Sequence, residues 1–131
     1  MINIDLIELL ERAKAAAANA YAPYSGYKVG SAVLSSEGSI FTGCNVENAS
    51  YSLTICAERN AIFNAVASGQ KSFLALAVYV DSTRNFPPCG ACRQVMSEFA
   101  PSLKVIFGNR NEVVETTLAE LLPGAFSLHD A

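Results

Sequence analysis

The 131-residue chain predicts an α/β fold: a three-layer α/β/α sandwich around a mixed sheet of about five strands. Three observations carry this. Leu6, Leu9, Leu10, Ala13, Ala17 and Ala20 recur at helical spacing on one face. Phe73 to Val80 is a nearly continuous apolar run, as in a strand covered on both faces. Between and beyond them, helical and strand patterns alternate in the order α-β-β-α-β-α-β-β-α.

Each element has a local reason. Asp5 can cap a first helix that runs to about Ala20 and ends at Ala22-Pro23-Tyr24-Ser25-Gly26. Tyr27 to Leu34 reads as a strand, turned by Ser35-Ser36-Glu37-Gly38 into a return strand near Ser39 to Thr42. Gly43 to Ile55 is polar and irregular, which suits a binding loop. A second helix is expected from about Cys56 to Ser68, with Ala57, Ala61, Ile62, Ala65 and Val66 as its apolar face and Gly69 as its stop. Asp81 to Pro88 is loop. A third helix begins near Cys89 or Gly90 and ends before Pro101. Lys104 to Phe107 is a strand, Gly108 to Asn111 a turn, and Val113 with Val114 a short strand. Thr117 caps a final helix to Leu122, broken by Pro123-Gly124. No linker, repeat or low-complexity tract divides residues 1–131, so a single catalytic domain is expected.

Composition narrows the function. Charged residues are 16% of the chain, against roughly 25% in an average soluble domain, while hydrophobic residues are 51%. No apolar run approaches the ~20 residues that span a bilayer. So few charges on so small a chain point to a subunit interface, and a homo-oligomer is expected. The net charge of −3 does not suit a phosphate backbone. Lys71, Arg84, Lys104 and Arg110 are scattered and read as ordinary solvated charges. The first residues carry acid and no apolar stretch, unlike a secretory signal, so a cytoplasmic setting with reduced thiols is expected.

The chemistry lies in two clusters, Cys56-Ala57-Glu58 and Pro88-Cys89-Gly90-Ala91-Cys92, with 33 positions from the first cysteine to the second. A structural zinc site uses four protein ligands, whereas a catalytic site uses three and keeps one position open. A first ligand followed two residues on by Glu, then a distant Pro-Cys-x-x-Cys, is the layout of zinc nucleobase deaminases. Both clusters fall at predicted helix starts, where unpaired N–H groups favour thiolate over thiol. Zinc with three thiolates carries a formal charge of about −1, so nearby cations are expected. Arg59 and Arg93 directly follow the motifs and could donate to the ligand sulfurs. Glu58 is not expected to ligate, because Cys56 occupies that corner; it is placed to move protons.

Rival readings are a thioredoxin-like redox Cys-x-x-Cys, which leaves Cys56 and Glu58 unexplained, and a closed structural site that recruits Cys44. Structural sites usually come as two close pairs, and Cys44 and Cys56 are twelve apart. Cys44 reads instead as a packed thiol near the site, and the lone His129 as tail.

Taken together, the sequence closely resembles cytidine deaminases of the small, homotetrameric type. The resemblance covers nearly the whole chain: Ala22-Pro23-Tyr24-Ser25, Val29-Gly30, Gly43 to Ser52, Cys56-Ala57-Glu58-Arg59, Pro88 to Gln94, and Glu120 to Phe126. The zinc motif alone marks the deaminase superfamily; the Asn45-Val46-Glu47-Asn48 loop and the Pro123-Gly124-Ala125-Phe126 end narrow it. The resemblance implies hydrolytic removal of the 4-amino group from cytidine and deoxycytidine, in pyrimidine salvage. It implies one zinc ion on Cys56, Cys89 and Cys92, with Glu58 as proton shuttle. It places Asn45 and Glu47 on the ribose hydroxyls, the Ala57 N–H on the pyrimidine carbonyl and Tyr27, often Phe in the family, against the base. It sends Phe126 into a neighbouring subunit's site, with Tyr51 near the same junction. The negative charge of Glu47 would favour a free nucleoside over a nucleotide. A deaminase of a nucleoside antibiotic such as blasticidin S shares the cysteine signatures and is the nearest alternative; a zinc-stabilised interaction module is a more distant one.

Overall fold

The structure is a computed structural model, and it describes residues 4–84 and 86–128. His129, expected to be tail, lies outside the described residues. Five strands form one mixed sheet in the order β2-β1-β3-β4-β5: β1 (Val29–Ser35), β2 (Ile40–Cys44), β3 (Phe73–Val80), β4 (Lys104–Gly108) and β5 (Val113–Thr117). Only β3 and β4 run parallel, joined through a helix; the other neighbours are antiparallel.

Helices cover both faces, because the central strands alternate their side chains between two apolar layers. On β1, Ala32 and Leu34 face helix α1 (Leu6–Ala17), whose Leu9, Leu10, Ala13 and Ala17 are buried there. Val33 faces the opposite layer, formed by α2 (Ala57–Ala67), α3 (Gly90–Phe99) and the short α4 (Leu118–Leu121). That layer buries Ile62, Met96 and Leu118 against Leu76, Val78, Val105 and Phe107. The expected three-layer arrangement and all nine elements are present.

Several boundaries differ from expectation, each for a local reason. The Asp5 carboxylate accepts the Glu8 amide as foreseen, but α1 stops at Ala17, short of Ala20. The amides of Ala18, Asn19 and Ala20 reach only three residues back, a tightened last turn. The chain then exchanges backbone hydrogen bonds with the 45–47 segment, through Tyr21 N to Asn45 O and Glu47 N to Tyr21 O. Strand β1 begins at Val29, two residues later than expected, because the Asn45 side chain engages the backbone of residues 27 and 29. Strand β2 runs on through Gly43 and Cys44, which pair with Ser31 and Gly30. Strand β5 extends to Thr117, opposite Lys104. A one-turn 3₁₀ helix, Tyr51–Leu53, interrupts the loop before α2.

Two glycines matter to the site. Gly69 ends α2 at φ +92°, a conformation that costs little only without a Cβ. Gly43 lets β2 touch the first turns of α2. A Cβ there would meet the Ala61 amide nitrogen, with the Ala57 carbonyl oxygen 2.8 Å away.

Candidate metal centre and active site

Cys56 and Cys89 are the N-cap residues of α2 and α3, and neither sulfur caps its own helix. The caps therefore leave both sulfurs free to face each other across the gap between the helices. Cys92, in the first turn of α3, is buried beneath them. The Cys56 and Cys89 sulfurs are 3.8 Å apart, and all three lie within 4.8 Å of one another. Thiolates at about 2.3 Å from a tetrahedral zinc ion are separated by about 3.8 Å, the separation that Cys56 and Cys89 already have, and the donor set suits that ion. The spacing is too long for a disulfide, and all four cysteines are free. Cys44 is not part of the cluster; its carbonyl oxygen accepts a hydrogen bond from Asn60 Nδ2 at 2.8 Å. The three-sulfur arrangement, with Cys44 apart, is that of an open site.

The electrostatics also fit a bound cation. A hydrogen bond from Cys92 lowers the Cys56 thiol to about 5, with help from Arg59 and Cys89 and against its burial. The same hydrogen bond, then burial and the nearby Glu58 charge, push the Cys92 thiol up. Arg59 Nη2 donates to the Cys56 sulfur at 3.4 Å, as the sequence led us to expect. Its Nε is buried and has no hydrogen-bond partner among the described residues. Arg93 does not follow its expected role. Its Nε donates to the Pro88 carbonyl at 2.7 Å and its Nη1 to the Leu121 carbonyl at 2.8 Å. It braces the turn before Cys89 against the last turn of α4, because its position on α3 points it along the helix start and not at the sulfurs.

Glu58 sits in the first turn of α2 and is 5% exposed. Burial raises its carboxyl to about 7 from an ordinary 4.5; the Cys56 charge adds to this, while its backbone amide opposes it. It can therefore hold and release a proton near neutrality.

A cavity of about 260 Å³ joins these groups. It is lined by Cys56, Ala57, Glu58 and Cys89 at one end and by Asn45, Glu47, Tyr27 and Phe86 along its sides. A second cavity of about 290 Å³ adjoins it, sharing Ser25, Glu47 and Thr54, with Tyr24 and Tyr51 as its outer wall. Its lining includes neither a cysteine nor Glu58.

Asn45 and Glu47 reach the cavity, but their own loop uses much of their bonding capacity. Asn45 Oδ1 accepts the Val29 amide at 2.9 Å and Nδ2 donates to the Tyr27 carbonyl at 2.8 Å. Glu47 Oε1 accepts the amides of Tyr24 and Ser25, and Oε2 accepts the Ser25 hydroxyl. The Ser25 hydroxyl is also the main reason the Glu47 carboxyl is held below its usual range. One N–H of Asn45 and one lone pair of Glu47 are left over. Tyr51 is 77% exposed and Phe126 68%, and neither lines the cavity of Glu58. Sequence reasoning missed Phe86 and Ser25. Phe86 is an aromatic residue in an otherwise polar loop just before Pro87-Pro88, and that was its only signal; Ser25 was read as part of a helix stop.

Residues 4–109 match the family described as the cytidine and deoxycytidylate deaminase zinc-binding region. The chain is 50% identical to a cytidine deaminase of Sporosarcina psychrophila over 129 residues, covering 97% of this chain and 95% of that one. It superposes on the crystal structure of a cytidine deaminase from Burkholderia pseudomallei with a TM-score of 0.88 at 49% identity, covering 94% of this chain and all of that one. A blasticidin-S deaminase of Bacillus cereus is more distant, at 35% identity over 105 residues, 74% of this chain and 75% of its own. Two helix starts that gather three sulfurs beside a buried carboxyl, together with these matches, place the chain in the cytidine and deoxycytidylate deaminase family, within its zinc-binding region.

Proposed function

We propose that this chain converts cytidine and deoxycytidine to uridine and deoxyuridine, adding water and releasing ammonia. The observation that carries the reading is a buried carboxyl that shares its cavity with Cys56 and Cys89, two of three converging sulfurs. Cys56, Cys89 and Cys92 would hold one zinc ion, whose Lewis acidity makes a nucleophile of water near neutral pH. Glu58 takes the proton that water gives up and delivers it to N3 of the pyrimidine. With the water oxygen bonded to C4, it then carries the remaining proton of that oxygen to the exocyclic amine, so that the C4 carbonyl forms, the C4–N bond breaks and ammonia departs. Burial keeps this carboxyl from being levelled by solvent, and its place in the first turn of α2 fixes it beside Cys56. Arg59 offsets thiolate charge through Cys56.

The remaining residues bind and orient. The Ala57 amide is at the start of α2, where N–H groups lack helical partners, and would donate to the 2-carbonyl of the base. The free N–H of Asn45 and the free lone pair of Glu47 suit an adjacent pair of ribose hydroxyls. Tyr27 forms an aromatic wall for the base. Tyr51 and Phe126 are exposed on this chain, as expected of groups that complete a site across a subunit boundary in a homotetramer. Residues 1–131 would act as one catalytic domain in the cytoplasm, without nucleic-acid partners. Among the described residues, no helix is long and apolar enough to cross a membrane.

The deciding experiment is metal analysis of the purified protein together with absorbance assays on cytidine and on blasticidin S. About one zinc per chain with turnover of cytidine supports the reading. Turnover of blasticidin S alone would transfer the assignment to the antibiotic-deaminase alternative, and active protein without metal would overturn both.

A further inference from the structure

Tyr27 and Phe86 face the cavity together, their ring centroids 4.9 Å apart and their planes inclined by 58°. Both are only half-buried, so packing alone does not fix their tilt. A third group touches both. Arg84 Nη1 donates to the Tyr27 hydroxyl at 3.0 Å. Its guanidinium carbon lies 6.0 Å from the Tyr27 ring centroid and 5.9 Å from that of Phe86, within cation–π range of each. The sequence marks Arg84 only as a scattered surface charge.

The backbone beneath this guanidinium is anchored. The Arg84 amide donates to Ser82 Oγ at 3.1 Å, and the Arg84 carbonyl accepts from Asn109 Nδ2 at 2.9 Å. Asn109 is itself buried at the end of β4. The next residue ties in as well, with the Arg110 amide on the Ser82 carbonyl at 2.9 Å. The guanidinium is thus presented from a base fixed to the sheet. A planar, delocalised cation suits two ring faces and one hydroxyl; a lysine ammonium does not.

We propose that Arg84 is a positioning residue: it clamps Tyr27 and Phe86 into one aromatic wall and so sets the affinity for the flat ring of the substrate. This rests on the nucleoside reading above. Arg84 does not line the cavity, so it acts through the two rings and leaves the proton transfers to Glu58.

The test uses the full-length, zinc-loaded protein. Arg84→Ala should raise KM for cytidine about 5- to 20-fold, with kcat within about twofold and zinc content unchanged. Tyr27→Phe, which removes only the hydroxyl acceptor, should raise KM about two- to threefold. The two changes together should raise KM by less than the product of their separate effects, because they share one contact. Arg84→Lys should fall between wild type and Arg84→Ala. An unchanged KM in Arg84→Ala, or a loss confined to kcat, overturns the clamp. A second readout is independent of turnover: ring resonances of Tyr27 and Phe86 in the unliganded protein should shift in Arg84→Ala, and unmoved resonances also overturn it. If the wild-type protein leaves cytidine intact, the functional reading fails and the resonances alone decide the clamp.

Discussion

The two ends of the cavity are built differently. At the metal end, Cys56, Glu58, Cys89 and Cys92 stand on the first turns of two helices, positioned by strands and helix packing. Their side chains are left free for chemistry. At the other end, Asn45 and Glu47 stand on a loop and are themselves what holds it, through hydrogen bonds to the backbone of residues 24 to 29. One end separates scaffold from function and the other merges them. Substitutions at the metal end should therefore cost activity, and substitutions at the loop end should cost activity and stability together.

The largest effect should come from Glu58→Ala. Proton transfer by a positioned side chain typically contributes roughly 10²–10⁴-fold, and in the proposed mechanism Glu58 serves both the ring nitrogen and the leaving amine. We expect kcat to fall at least about 10³-fold while zinc content, measured by mass spectrometry, stays near that of wild type. A variant that keeps its turnover removes Glu58 from the mechanism, and one that loses its metal erases the division between ligand and proton carrier.

A pH experiment sharpens the same point. In protein stripped of metal, Glu58 holds its proton up to about 7, whereas the unfolded chain releases it near 4.5. Between those values this carboxyl binds more protons folded than unfolded, so its own contribution to stability falls as pH rises, while the Cys56 thiol, held at about 5, contributes a slope of opposite sign. The contribution is about 3 kcal/mol, from about 1.4 kcal/mol per pH unit. Urea unfolding at pH 4.5 and 7.5 should show this loss as the difference between the stripped wild type and Glu58→Gln, because the opposing Cys56 slope is common to both. Equal slopes in the two proteins would mean that the carboxyl is not desolvated.

Smallest in free energy, and most specific to the comparison, is Asn45→Ala. It removes two part-buried hydrogen bonds, each with a net contribution of about 1 kcal/mol, so urea unfolding should reveal a loss of about 2–3 kcal/mol. KM for cytidine should rise in the same variant. A higher KM at unchanged stability would show that Asn45 serves the substrate alone, and the contrast between the two ends would disappear.

The same contrast explains what could be read from the chain. Cys56, Glu58 and the Pro88-Cys89-Gly90-Ala91-Cys92 run declare themselves because metal chemistry demands particular atoms at particular spacings, and helix starts have recognisable caps. Strand β3 was legible to the residue because a strand covered on both faces must be apolar throughout. Arg93 was misread because adjacency to a ligand says nothing about direction; only the packing of α3 against α4 reveals that its donors meet the carbonyls of Pro88 and Leu121. Phe86 and Arg84 were invisible because their roles arise from a loop folding back on Tyr27, a contact that no local pattern encodes. The late start of β1 has the same origin, since Asn45 captures that backbone from sixteen residues away.

Gly43 acts through the methyl group it lacks. Because residue 43 carries no side chain, an edge strand can rest directly on the backbone that bears Glu58. The placing of Glu58 relative to the sulfurs is thus gauged by a position that belongs neither to the sulfur cluster nor to the cavity lining. Bulk introduced there would shift the reactive groups as one wedge shifts a hinge, leaving every catalytic atom present and all of them out of register.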